Sequence, residues 1–349
     1  VAKQTGETRQ ALDHLNEAIG LGQTNKDLYV DAYSLALSAG DIELANHLAD
    51  KIENRNDTVI LSPSLIQAVV ALKKGEYVKA EKLLKTAPEK GFGKIVVSLL
   101  QAWVQRGQGK PVAFEPLNTL VQEGGEFKLL MDYQMALLLE EESTTEQKSA
   151  SDYYDSLVEM PYLPHHMAMS AARYYAKKGE IIKLEALEQR YQGQVGLQLV
   201  DVANKKAIAV KRSPQEGAAE VFFGIANLLV SIDALDVAAV PLQLANYLDT
   251  EFTSVHFIQA QIAEKYGDAE KAITLYEALE KDSSYGLMAS LQLAYLYQAQ
   301  EKPELALMML NKLSNFGLHK NLEYLNDMLL ELVEISNTAG MWVLDFAGE

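Results

Sequence analysis

The chain has 349 residues, a formal net charge of −17, six histidines and no cysteine. So negative a surface repels phosphate backbones and anionic lipid, which argues against nucleic acid as a partner. The lack of cysteine excludes disulfides, thiolate metal ligands and cysteine nucleophiles, and no run of 18 apolar residues exists to form a membrane-spanning helix.

Taken in order, the chain begins inside a unit. Ala11 and Ala45 are 34 residues apart, so Gly6 is expected at a turn and Ala11 on the helix after it. Counted back from Ala11, Val1 falls within a first helix, and the chain reads as a processed or excised piece lacking the start of that unit. The next unit, about 26–59, carries Tyr33, then Ser38-Ala39-Gly40-Asp41, then Ala45. The glycine there suits a left-handed helix end and Asp41 suits an N-cap. A third, about 61–94, follows the same grammar with Ala68, Gly75, Ala80 and Pro88.

The period then blurs. Helices are expected over 95–106, through Phe114, Leu117 and Leu120, over 127–140, and through Tyr153, Tyr154 and Leu157. Ala168, Ala171, Ala172 and Tyr175 mark another first helix ending at Gly179, and its partner has Leu184 in place of the alanine. A short helix to about 205 gives way to an apolar stretch, 207–210, and to Lys211-Arg212-Ser213-Pro214. This segment reads as a surface linker, with Ser213 or Pro214 near the next helix start. The chain thus divides into an N-terminal block (1–206), a linker (207–218), a regular block (219–320) and a capping helix with tail (321–349).

The regular block shows the repeat most clearly. Ala226, Ala260 and Ala294 are 34 residues apart, as are Ala238, Ala272 and Ala306. Within each unit the two alanines are 12 residues apart, which fits one on each of two antiparallel helices joined by a short turn. Small residues there let the helices approach closely, and stacked copies complete a core that one unit cannot build alone. The expected fold is all-α, an α/α superhelical solenoid of helix-turn-helix repeats.

This pattern resembles the tetratricopeptide repeat (TPR) family, most of all bacterial TPR proteins associated with the cell envelope. The resemblance covers nearly the whole chain and implies a periplasmic or cell-envelope setting, with the cytoplasm as the alternative. It also implies that first helices line a groove that holds partners. The matched groove positions are Phe223, Phe257 and Leu291, and Asn227, Gln261 and Tyr295. The Lys or Arg positions of carboxylate-binding relatives have no counterpart among them, so no carboxylate clamp is expected. An extended or helical peptide suits the set, its apolar groups on the aromatics and its backbone on the amides. Aromatics at these spacings also suit core between repeats, so two roles stand open for them.

Signs of catalysis are weak. The histidines are scattered, and no His-Glu-x-x-His, Gly-x-Ser-x-Gly or phosphate-loop motif occurs. His165-His166 reads as capping or surface rather than a metal site, Glu140 to Glu142 as solvated charge, and Lys211-Arg212 as an exposed basic spot. A non-enzymatic scaffold without cofactor or metal, binding a protein or peptide, is therefore expected. The alternative is a small-molecule or glycan module, or an accessory part of an enzyme whose catalytic region lies elsewhere.

Overall fold

A computed structural model describes residues 2–21, 26–52, 62–87, 92–123, 125–140, 148–161, 163–191, 211–280 and 285–315. Among these, 17 α-helices and a 3-10 turn (Gly125–Phe127) occur and no strand. The protein is all-α. The expected short helix to 205, the apolar stretch 207–210, the capping helix and the tail lie outside the described residues.

In chain order the helices are α1 (Ala2–Gly20), α2 (Lys26–Ala39), α3 (Ile42–Ala49), α4 (Pro63–Lys73), α5 (Tyr77–Leu84), α6 (Phe92–Gly107), α7 (Phe114–Glu123), α8 (Lys128–Leu139) and α9 (Ala150–Val158). They continue as α10 (His165–Lys178), α11 (Ile181–Tyr191), α12 (Pro214–Ser231), α13 (Leu235–Leu248), α14 (Thr253–Lys265), α15 (Ala269–Leu279), α16 (Gly286–Ala299) and α17 (Pro303–Asn315). Gly6 is not at a turn: α1 runs through it without a break.

The hairpin grammar is real and recurs in the backbone. Among the described residues seven helix pairs turn through one residue in the left-handed region: Gly40, Gly75, Gly109, Gly179 and Gly267, with Asp233 and Glu301 in the two remaining pairs. At each, that residue's N–H donates to the carbonyl three residues back and the next N–H to the carbonyl five back, as in Gly40 to Leu37 and Asp41 to Ala36. These bonds satisfy carbonyls that a helix end leaves open. In two of these pairs a side chain caps the following helix, Asp41 accepting from Leu44 N–H and Asp268 from Lys271 N–H.

The six repeat alanines occupy matching places. Ala226, Ala260 and Ala294 lie on α12, α14 and α16, Ala238, Ala272 and Ala306 on α13, α15 and α17, and all six are buried. Leu184, where an alanine was expected, is buried as well, and α11 still packs on α10.

The helices group into two compact units, and the grouping does not follow the periodicity. One holds residues 1–163 and 210–255, the other 164–209 and 256–349. The first of the three regular repeats, α12 and α13, thus belongs with the N-terminal helices rather than with the two that follow it. In the first unit α2 to α9 pack each on the next, and α12 with α13 packs across them: α12 on α4, α6 and α8, α13 on α2, α3 and α4. In the second, α14 to α17 build a core around Phe257, Ala260, Tyr276, Tyr285, Leu293 and Leu310.

Candidate partner-binding surfaces

The two open roles for the sequence-derived positions resolve residue by residue. Phe223 is 2% exposed, its ring 4.9 Å from that of Phe252. Phe257 is 5% exposed and lies between Tyr276 (5.7 Å) and Tyr285 (5.1 Å). Both rings are core, and the core reading of these spacings holds for them. Leu291 is half-buried against the same core as Phe257, and Asn227 is half-buried on α12. Gln261 on α14 and Tyr295 on α16 reach solvent, Tyr295 with 40% of its surface exposed. Leu291 and Tyr295, four apart on one helix, share a face.

The second unit thus leaves Gln261 and Tyr295 at the surface, with Leu291 half-buried against its aromatic core. Tyr285 holds that interior together at the head of α16, taking Phe257 on one side and the His165 ring edge-on at 4.7 Å. His165 starts α10 and is half-buried, and His166 is buried, so the pair is neither exposed nor a plain cap. Among the described residues no group of three or more His, Asp or Glu side chains gathers as a metal site. No described helix is long and apolar enough to cross a membrane.

In the first unit the first-helix face, built by α2, α4, α6 and α8, lies under α12 and α13. Ser213 caps α12 with Pro214 after it, and Glu216 completes a reciprocal capping box. The basic spot expected to be exposed divides here: Lys211 is exposed, but the Arg212 guanidinium reaches Glu220 at 3.0 Å, with side chains only 22% and 4% exposed. Burial works against the Arg212 charge, but neighbouring acidic groups, Glu220 first, outweigh it and hold the guanidinium protonated. The sequence gives no sign of this because Glu220 lies a further two turns along the helix, in an apolar run. Glu220 also accepts from the Tyr133 hydroxyl at 3.1 Å.

Tyrosine hydroxyls meet glutamates elsewhere too. Tyr247 donates to Glu43 (2.6 Å), Tyr154 to Glu140 (2.5 Å), Tyr276 to Glu264 (3.2 Å) and Tyr297 to Glu277 (2.6 Å). Glu140, expected to be plain solvated charge, is therefore tied to a buried ring. Burial, then Glu277, pushes the Tyr297 hydroxyl up to about 12.

No sequence model of a known family matches the chain, and no curated protein matches it. What the surfaces can do has to be read from their own chemistry.

One open cleft of about 680 Å³ lies where α5 begins, lined by Tyr77, Lys79, Lys82, Gln108 and Lys110. Lys79 pairs with Glu76 at 3.1 Å and Lys110 with Glu81 at 3.2 Å. Glu81 accepts from the Gln108 amide, Lys85 and Lys110, which holds its carboxyl down at about 2. Two of the three lysines lining the cleft, Lys79 and Lys110, thus have carboxylate partners.

Proposed function

We propose that the protein is a non-enzymatic interaction scaffold of the tetratricopeptide repeat type, whose hairpins stack into a superhelix and hold a segment of another polypeptide. Seven copies of one helix-turn-helix unit, each closed by the same pair of backbone hydrogen bonds, support the repeat reading. The observation that carries the binding reading is Tyr295, an aromatic at one matched groove position that stays 40% exposed while Phe223 and Phe257, at the other matched position, enter the core. Large aromatics kept at the surface beside amides are the usual anchors of polypeptide recognition. In this reading Tyr295 and Leu291 take an apolar side chain and Gln261 a backbone amide.

The test is selection of a displayed peptide library on the immobilised full chain, followed by affinity measurement with Gln261→Ala plus Tyr295→Ala. Gln261 is exposed and Tyr295 partly so, so the melting temperature should fall by no more than about 4 °C while affinity for the selected peptides falls at least about tenfold, a loss typical of a surface anchor. Selected peptides that bind the double variant undiminished would remove the assignment.

A further inference from the structure

The face under α12 and α13 is specified by polar and steric matching. Gly217 and Gly224 are seven apart, two turns along one side of α12. A Cβ at Gly217 would lie 2.3 Å from the Trp103 ring, and one at Gly224 would lie 2.4 Å from Leu130 Cδ1. Between them sits Glu220, 3% exposed, accepting from Tyr133 of α8. Gln215 donates to the Leu72 carbonyl at 3.0 Å, Lys73 donates to the Leu248 carbonyl at 3.1 Å, and Tyr247 donates to Glu43. Such a seat reads a particular helix: it admits backbone closely at two places and offers the Tyr133 hydroxyl to an acceptor between them.

Two features separate the hairpin from the helices it covers. The helices α2 to α9 pack each on the next and remain a connected row without it. The hairpin is joined in sequence on both sides to the other unit, 164–209 before it and 256–349 after. It covers the row without being the row's neighbour in the chain, as a ligand would.

We propose that α12 and α13 are an exchangeable occupant. The first-helix face of the N-terminal unit is a receptor for a helix with two small residues seven apart and a hydrogen-bond acceptor three after the first, and the chain's own hairpin holds that site until an outside helix of the same chemistry displaces it. This stands on the first unit alone and does not need the Tyr295 surface. Binding a helix in a groove of helices is an established mode of recognition, and a site held by its own chain binds outside ligand only in the fraction of molecules where it is vacant.

The test uses the full chain and a fluorescent synthetic peptide covering residues 211–231. In the wild type, amides of 214–248 should exchange at least about tenfold faster than those of α4, α6 and α8. Gly217→Leu, which drives a side chain into the Trp103 ring, should strip protection from 214–248 while leaving α4, α6 and α8 protected. It should also bind the wild-type peptide at least about tenfold tighter than the unaltered chain does. The same peptide with Glu220→Leu, which has no acceptor for the Tyr133 hydroxyl, should bind that variant at least about tenfold more weakly. The proposal is overturned if the wild-type hairpin exchanges together with the helices beneath it, if Gly217→Leu loses protection across α2 to α9, or if the variant binds the peptide no better than wild type.

Discussion

Glu220 on α12 and Tyr133 on α8 are 87 residues apart in the chain and meet in the interior, the Tyr133 hydroxyl donating to the carboxylate at 3.1 Å with both residues almost fully shielded from water. Arg212 approaches the same carboxylate at 3.0 Å. One acidic group thus satisfies a donor from the row of helices and a cation from the segment leading into α12.

Glu220→Gln should therefore cost more than Tyr133→Phe. The first leaves the Arg212 charge in a mostly buried place without its counter-ion, at about 2–5 kcal/mol. The second removes one donor while the ion pair persists, at about 1–2 kcal/mol. Urea unfolding midpoints of the two variants decide the order, and equal losses would mean that the pair is not what holds Glu220.

The repeat alanines make a second prediction. Ala260 and Ala272 have no exposed surface, so Ala260→Leu or Ala272→Leu should overpack the contact by about 1–3 kcal/mol. A substitution at exposed Lys265 should stay within about 0.5 kcal/mol. Thermal melts showing the same shift at all three positions would count against the register.

At the turn between α16 and α17, Glu301 holds φ 57° where five other hairpins place glycine. A side chain in that conformation costs about 1–2 kcal/mol, partly offset by the freedom glycine has when unfolded. Glu301→Gly should accordingly raise stability by up to about 1 kcal/mol. A lower melting temperature would show that the Glu301 side chain contributes more than its backbone costs.

Acid should loosen the hairpin seat at Glu43. Its carboxyl is held below the ordinary carboxylate range by the Tyr247 hydroxyl first and by Lys74 as well, against a smaller opposing effect of burial. A lowered folded value means that the stabilisation is complete above the ordinary Glu value of about 4.5 and fades as pH falls through the lowered one. Glu43→Gln should flatten this part of the pH dependence of stability, and an unchanged acid limb in the variant would dismiss the contact as a contributor.

The sequence made the hairpins legible because their turns are local. A residue able to adopt positive φ, with an alanine near it on each side, marks a unit wherever it occurs, and Gly40, Gly75 and Gly267 are readable on sight. Grouping was not legible in the same way. Residues 219–252 carry the same period as 253–320, yet they pack on helices that lie 87 and more residues earlier in the chain. The signal for that lies in Gly217, Glu220 and Gly224, which look unremarkable until Trp103, Tyr133 and Leu130 stand opposite them. Two of the six groove positions lie in the core for a related reason: Phe223 and Phe257 have the side chains a ligand site would want, and a core wants the same ones. Only exposure separates the two uses, and a linear pattern does not carry it. Arg212 was misjudged likewise, since its partner sits within a run of apolar residues.

The crossing of α12 and α13 over earlier helices also bears on how the chain acquires its fold. In an ordinary array each contact is between neighbours, so structure can grow from any point and spread outward. Here Tyr247 bonds Glu43 across 204 residues and Lys73 bonds the Leu248 carbonyl across 175, separations that slow folding because long loops must close first. During synthesis the apolar flank around Trp103 and Leu130 emerges well before the helix that will cover it, and it stays bare until the ribosome has added roughly a hundred more residues, several seconds at usual elongation rates.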